Sequence, residues 1–484
     1  MLTTAPHNRD RATPDPPFTT AVTFFPLRPI GGNPRGAALR CTNVTSAGAN
    51  PMTRFSAARR LLLLSSMSLA LVAAAGCKPK AGADGEGSGA QSGELVIGAY
   101  LSLTGSKADF GIKTNQGAQL AIDEANAAGG VGGRPVKLVV LDDQGTADEA
   151  GNAVSRLIDV EKASAIMGEV SSSLSLVGGR IAQRRGIPMV SPSSTNTQVT
   201  EIGNFVFRTC FIDPFQGEVM ATFAKEKQGF TRIAVIKDVR NDYSIGLAKS
   251  FIETFTKNGG TIVAEESYNE GDTDFSAQLT KIKALDAQAL FVPGYYTEVG
   301  NLAKNSRRLG LNIPLLGGDG WESPKLREIG GNDIVGSFYS NHFAPDNANE
   351  KSSAFIATYT KRWNEPPTAL ATLGYDATAL IIDAMRRAKG EPTPAAIRDA
   401  LEATKAFPAI TGAVTFDANR NPVKPAVVLQ VTANGDKFVA EIQPAGAAPA
   451  APAAPAAPAA PAAPAAPGSG AAAAPAGSGS GAAK

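Results

Sequence analysis

The sequence predicts an α/β protein built as two Rossmann-like lobes around parallel sheets. Three observations carry this. Between residues 94 and 443, short apolar runs alternate with amphipathic stretches of helical length. That alternation is the signature of βαβ units and parallel sheets. The rhythm breaks and restarts after Asp213, so there are two sets of units, not one. The chain has 484 residues, 43% hydrophobic and 19% charged, which is more than one ordinary domain needs and enough apolar material for a sizeable core.

Taken in order, ELVIGAYLSL reads as a buried strand, NQGAQLAIDEANAA as an amphipathic helix and RPVKLVVLDD as a strand. EAGNAVSRLIDV is a helix, ASAIMGEV a strand, LVGGRIAQRRG a helix and IPMVSPSS a strand running into a loop. In the second set, GEVMATFAKEKQG is a helix, RIAVIKD a strand and IGLAKSFIETFTKNGG a helix stopped by glycine. TIVAEESY, ALFVPGYY and IPLLGGD are strands; FSAQLTKIKALD and EVGNLAKNSRRLG are the helices between them. Two successive sets of this kind build two lobes that face a cleft.

The ends of the chain are not fold. Residues 1–51 are polar and aperiodic, and read as a non-native upstream extension. Met52 opens a basic n-region (MTRFSAARR), followed by an apolar run from Leu61 to Gly76. That run is short of the roughly 20 residues a membrane span needs, and has the layout of an export signal over 52–76. Its last residues, Ala74-Ala75-Gly76-Cys77, resemble the bacterial lipobox, with Ala74 where a Leu is usual. Lipid on Cys77 anchors a protein to a membrane surface without spanning it; an ordinary secretory signal cut nearby is the alternative. Residues 77–93 form a flexible Gly/Ser tether. From 444 to 484 the chain is an Ala/Pro-rich tail, with proline recurring too often for a helix.

Composition excludes much chemistry. The formal charge is +2, but residues 1–76 hold eight Arg and two Asp, a surplus of +6 that leaves −4 on the rest. A mildly acidic mature chain gives no footprint for nucleic acid. Two histidines (His7, His342) and three cysteines (Cys41, Cys77, Cys210) cannot furnish a His-rich metal site, a Cys₄ zinc site or an iron–sulfur cluster. Export implies an oxidising compartment, yet Cys210 is the lone cysteine of the mature core and reads as a buried small hydrophobe. The cluster GGVGGRP, from Gly129 to Pro135, follows a helix and precedes a strand, the reverse of a dinucleotide fingerprint, so it reads as a C-cap and turn. There is no G-x-x-x-x-G-K-[ST], and no cofactor or metal is expected. An exported hydrolase would have only His342 as a base and no G-x-S-x-G.

Ligands of open α/β sheets sit beyond the carboxyl ends of the strands. Those ends carry Ser171-Ser172-Ser173 after ASAIMGEV and Ser191 to Thr195 after IPMV. Hydroxyls and free N–H groups at a helix start favour an anion. In the second set the strand ends carry Tyr243, Tyr295, Tyr296, Asp319 and Trp321. Each is ordinary alone: a Ser there is commonly an N-cap, a Tyr a packing residue, an Asp between glycines a turn. Together they set neutral anion donors on one lobe against aromatics and a carboxylate on the other, a complement to a zwitterion.

The core also resembles a known family. IGAYLSLTGSKADFG, AIDEANAAGGVGGRPVKLVVLDDQ, IMGEVSSS, GIPMVSPSSTN, FVPGYYTEVG and TLGYDATALIIDAM occur in the order and spacing of the type I periplasmic solute-binding proteins of branched-chain amino acid ABC transporters, the leucine/isoleucine/valine-binding family. The resemblance runs from about Gly93 to Gln443. It implies two lobes joined by a three-strand hinge: 94–213 with 342–424, and 214–341 with 425–443. It implies that Ser172 holds a ligand carboxylate, with Ser193 and Thr195 as the second carboxylate loop. Tyr295 is then the tyrosine of the opposite lobe, Asp319 the acid that takes the ammonium, and Tyr243 and Phe110 aromatic cleft positions. Asp319 is one methylene shorter than the Glu often found there. Gly145 and Ser171 stand where some members bridge two cysteines. The implied protein is not an enzyme. It is a monomeric, lipid-anchored, periplasmic or cell-envelope receptor that captures an amino acid and delivers it to ABC permease subunits. The alternative is a sensor of the same fold, closing on an amino acid or small carboxylate.

Overall fold

The computed structural model describes residues 93–444. The upstream extension, the signal, Cys77, all of the tether but Gly93, and the tail beyond Pro444 lie outside the described residues. The first sheet is built from β1 (Leu95–Leu101), β2 (Val136–Asp142), β3 (Ala165–Met167), β4 (Met189–Ser191) and β5 (Val206–Arg208). Between them run α1 (Ala108–Ala127), α2 (Ala147–Asp159), α3 (Ser172–Arg185) and the single turn α4 (Gln198–Glu201). The spatial order is β2-β1-β3-β4-β5, all parallel. Strands buried on both faces explain the continuous apolar runs: Ile97, Ala99, Ala165 and Met189 are wholly buried.

The second sheet begins after α5 (Asp213–Thr222). It comprises β6 (Arg232–Asp238), β7 (Thr261–Tyr268), β8 (Ala289–Phe291), β9 (Leu315–Gly317) and β10 (Phe338–Asn341). These are separated by α6 (Asp242–Lys257), α7 (Ser276–Lys283), α8 (Tyr296–Arg308) and α9 (Pro324–Gly330). The chain then returns to the first lobe for α10 (Glu350–Trp363), α11 (Ala369–Arg387) and α12 (Pro394–Glu402), with α11 packed along α1. It crosses back for β11 (Ala426–Thr432) and β12 (Gly435–Ile442), giving the order β12-β11-β10-β9-β8-β6-β7. Three passages therefore join the lobes: after β5, after β10 and before β11.

Two details differ from the sequence reading. The second sheet is mixed, because β10–β11 and β11–β12 pair antiparallel. Residues Ala433 and Asn434 alone join β11 to β12, and so short a connection can only link antiparallel strands. The strand read as ALFVPGYY ends early, at Phe291. Tyr295 is instead the N-cap position of α8. The glycine cluster is the expected turn: Gly129 and Gly130 have φ of 93° and 72°, a region open to glycine without steric cost.

The α1–α11 seam shows why two helical glycines are needed. A Cβ on Gly117 would lie 1.7 Å from the carbonyl oxygen of Ala371, and one on Gly374 would lie 2.2 Å from that of Thr114. The backbones thus touch directly. This fixes Phe110, on α1, relative to Leu370, on α11, and both reach the cleft.

Candidate ligand-binding cleft

The loops that follow β3 and β4 are stitched to each other before they offer anything to the cleft. The backbone carbonyl of Glu169 accepts from Ser175 Oγ at 2.9 Å, Ser191 Oγ at 2.8 Å and Ser194 Oγ at 2.9 Å. The Glu169 side chain accepts from Ser102 N at 3.2 Å and from Ser171 N. Burial, reinforced by the nearby Asp143 charge, pushes this carboxyl up to about 8, and its contacts make it a brace between the two loops. With these serines committed to structure, Ser172, Ser193 and Thr195 are left to line the cavity. Ser172 is the first residue of α3, whose unpaired N–H groups favour negative charge. Its Oγ accepts from Asn196 N at 3.3 Å. Thr195 Oγ1 is buried without a protein partner.

The facing wall comes from the second lobe. Asn241 caps α6 through Tyr243 N and Ser244 N, setting Tyr243 in the first turn. The Tyr243 hydroxyl accepts from Gly320 N at 3.1 Å, and its ring stacks on Tyr295 at 5.4 Å and 3°. Phe110 meets the Tyr295 and Tyr296 rings edge-on at 5.4 and 4.9 Å. Burial raises the phenols of Tyr243 and Tyr295 far above their ordinary range, so they act as neutral groups. Asp319 is held from two sides: Gln216 Nε2 donates to Oδ1 at 2.8 Å and His342 Nε2 lies 3.0 Å from Oδ2.

All seven residues singled out as ligand-contacting in the sequence, Phe110, Ser172, Ser193, Thr195, Tyr243, Tyr295 and Asp319, line one narrow space together with Val170, Gly320 and Leu370. Around it the lobes meet through polar contacts. Lys107 Nζ lies 2.6 Å from Glu270 Oε1, Ser173 Oγ donates to Asp242 Oδ2 at 2.7 Å, Ser323 Oγ donates to Asp109 Oδ2 at 2.6 Å, and Ala369 N donates to Glu322 Oε1 at 2.9 Å.

Sequence reasoning missed the residues behind the wall. Gln216, in α5, and His342, directly after β10, hold Asp319. Asp213, noted only as the point where the rhythm restarts, is 2% exposed and neither carboxylate oxygen has a protein partner. Burial pushes its carboxyl up to about 8, with Asp319 adding to the rise and Thr195 and Arg208 opposing it. Cys210 is buried and free, its thiol pushed up to about 12 by burial. Among the described residues there is no group of three His, Cys, Asp or Glu side chains that could hold a metal ion, and no helix long and apolar enough to cross a membrane.

Comparison with known proteins agrees with this architecture. A family model described as periplasmic binding protein matches residues 94–436. The chain is 31% identical over 324 residues to a Leu/Ile/Val-binding protein homolog of Brucella melitensis, covering 67% of this chain and 87% of the relative. It is 30% identical over 356 residues to the Leu/Ile/Val-binding protein BraC3 of Rhizobium johnstonii, covering 73% and 93%. Among solved structures, the leucine-binding protein LivK of Thermotoga maritima aligns with a TM-score of 0.70 at 38% identity, covering 72% of this chain and 99% of that one. The substrate-binding protein LivJ of a Streptococcus pneumoniae branched-chain amino acid transporter, solved with isoleucine, aligns at 0.68 and 33% identity, covering 73% and 100%. Two α/β lobes on a three-strand hinge, a cleft between them and this family match place the chain among the type I periplasmic binding proteins, in the leucine/isoleucine/valine-binding family.

Proposed function

We propose that the protein is a lipid-anchored extracytoplasmic receptor that captures an α-amino acid between its lobes and delivers it to an ABC permease. The lobes divide at the passages near 213, 342 and 425, and Cys77 carries the anchor. The observation that supports this reading is the polarity of the cavity. The hydroxyl residues Ser172, Ser193 and Thr195 line it from one lobe, Ser172 at the start of α3, and Asp319 lines it from the other. A ligand carboxylate docks on Ser172, Ser193 and Thr195, and its ammonium on Asp319. Phe110, Val170, Leu370 and the Tyr243–Tyr295 stack take the side chain. Relatives named for leucine, isoleucine and valine binding support the same class. Burying a charged end without a partner is costly, so pairing both ends is what sets the class of ligand. A micromolar affinity, about −8 kcal/mol, is within the reach of a ligand of about nine heavy atoms. Closure then shifts a two-state equilibrium and forms the surface a permease reads. Energy for transport comes from a separate ATPase.

Calorimetric titration of the purified protein with leucine, isoleucine, valine, the deaminated acid and the decarboxylated amine tests this. The amino acids bind and both truncated analogues lose affinity. Equal binding of the deaminated acid would remove Asp319 from the proposed role, and no heat with any of them would overturn the amino-acid reading.

A further inference from the structure

His342 is one of two histidines in the chain, and it stands where the hinge meets the cavity. It directly follows β10, on the second passage between the lobes. Its ring stacks on Phe211 of the first passage, with centroids 3.7 Å apart at 25°. Its Nε2 lies 3.0 Å from Asp319 Oδ2, and its side chain is 2% exposed. Asp319 in turn lines the cavity and receives its other hydrogen bond from Gln216. One imidazole thus touches both the hinge and the acid of the binding wall.

We propose that His342 is a positioning residue for the ligand's ammonium: it donates Nε2–H to Asp319, aims that carboxylate into the cavity, and on taking a second proton cancels its charge and weakens amino-acid capture. This rests on the amino-acid reading of the cleft.

The chemistry follows from the partners. A carboxylate only accepts, so a neutral imidazole facing Asp319 must carry its hydrogen on Nε2. Gln216 and His342 then supply one donor to each oxygen, which fixes the carboxylate plane. The charged and titratable groups around the pair are few. Lys424, on the third passage, is buried with its Nζ donating to Thr209 O at 3.0 Å. Cys210, Asp213 and Arg208 stand on or beside the first passage. Arg208 is committed to the carbonyls of Ser194 and Asn196. Burial holds the His342 imidazole below its ordinary value, the Asp319 contact opposing this and Lys424 adding to it. At neutral pH the ring is therefore uncharged and leaves Asp319 to the ligand's ammonium. Under acid the ring gains a proton, and that cation and the ligand's ammonium then compete for one carboxylate. By linkage each weakens the other equally.

The test has two parts. Imidazole signals of the ligand-free protein, assigned against His342→Gln, are titrated by NMR in the wild type and in Asp319→Asn. Loss of the carboxylate lowers the His342 midpoint by about a unit or more, whatever the cleft binds. Leucine affinity is then measured between pH 5 and 7. Below the His342 midpoint found by NMR, wild-type affinity falls with acid toward about tenfold per pH unit. Gln keeps a donor at Nε2 without titrating, so His342→Gln keeps the neutral-pH affinity within about fivefold and loses the slope. A wild-type slope retained in His342→Gln, or an unmoved midpoint in Asp319→Asn, overturns the proposal. If the midpoint moves but leucine binds at no pH, the amino-acid reading fails and the ammonium role goes with it, while the His342–Asp319 pair stands.

Discussion

Glu270→Gln tests whether closure of the lobes is an energetic event separate from folding. Lys107 lies between β1 and α1, and Glu270 follows β7, so their 2.6 Å contact crosses the cleft. The Lys107 side chain is 6% exposed and that of Glu270 39%. Removing one partner of a fully buried pair costs about 3–5 kcal/mol, because a charge is stranded. An exposed pair is worth about 1 kcal/mol or less. This pair lies between the limits. Lys107 keeps the field of Asp143 on its own lobe, and the Gln amide oxygen can still accept from its ammonium. The cost is therefore about 1–2 kcal/mol, or roughly 5- to 30-fold in Kd. All of it falls on closure, since the contact requires both lobes. Calorimetry with the best ligand of the screen should show that loss. The melting temperature of the ligand-free protein should stay within about 1 °C, because the contact belongs to the closed form; the same loss felt by folding would lower it by about 1.5–3 °C. High salt should narrow the gap, because the half-exposed wild-type pair is screened. An unchanged Kd, or a ligand-free stability loss as large as the affinity loss, would refute the assignment of this contact to closure.

Three further substitutions probe other levels. Asp319→Asn leaves Gln216 and His342 without a charged acceptor and removes the ammonium partner; leucine affinity should fall by about 2–5 kcal/mol in the same titration, with the deaminated acid affected less, and equal losses would count against the ammonium role. Gly117→Ala drives a methyl to half of ordinary contact with the Ala371 carbonyl, so urea unfolding should report a loss of about 1–3 kcal/mol; an unchanged midpoint would show that α1 and α11 can part freely. Asp213→Asn acts through pH. Its folded carboxyl is raised to about 8, above the unfolded value, so the stability tied to it is full in acid and is lost as pH rises toward 8. The variant should lack that decline, several kcal/mol at most, and a Tm-against-pH curve parallel to wild type would remove Asp213 from the account.

The cavity wall was legible because the site lies where α/β sheets put sites, beyond strand carboxyl ends, and those ends carry Ser172, Ser193, Thr195, Tyr295 and Asp319. What the sequence could not rank was which serines face inward. Ser191, Ser193, Ser194 and Thr195 are alike in composition, and only the folded loop shows Ser191 and Ser194 turned to the Glu169 carbonyl. Glu169 itself was hidden for a related reason: a carboxylate at the end of ASAIMGEV reads as a solvated strand end until burial makes it a brace. Gln216 escaped because it lies in the first turn of α5, ahead of the stretch read as helix from Gly217, and His342 because β10, which it directly follows, was not read as a strand. The β11–β12 hairpin was different, since the Asn434-Gly435 pair between two apolar runs is a short-range turn signal, and a parallel-sheet expectation obscured it.

The arrangement also constrains how a ligand can control closure. The polar groups of the cleft divide into two sets. Lys107–Glu270, Ser173–Asp242, Asp109–Ser323 and Glu322–Ala369 satisfy one another across the lobes. Inside that ring, Thr195 Oγ1 lacks a protein partner and Ser172, the first residue of α3, lines the cavity. Each buried polar group left without a partner costs about 1–3 kcal/mol, and each contact made returns about 1. The rim, which also holds Thr297 Oγ1 on Ser106 O and Asn196 Nδ2 on Asp242 O, favours closure and the unmet groups of the floor oppose it, which is what a switch requires. A ligand that satisfies the floor needs only a few kcal/mol of preference for the closed form to move the population from mostly open to mostly closed. By the same reasoning, tightening the rim should raise affinity for every ligand alike, whereas changing the floor should re-rank them. Comparing Glu270→Gln with Asp319→Asn across one ligand panel separates the two: parallel shifts for the first, crossed rankings for the second.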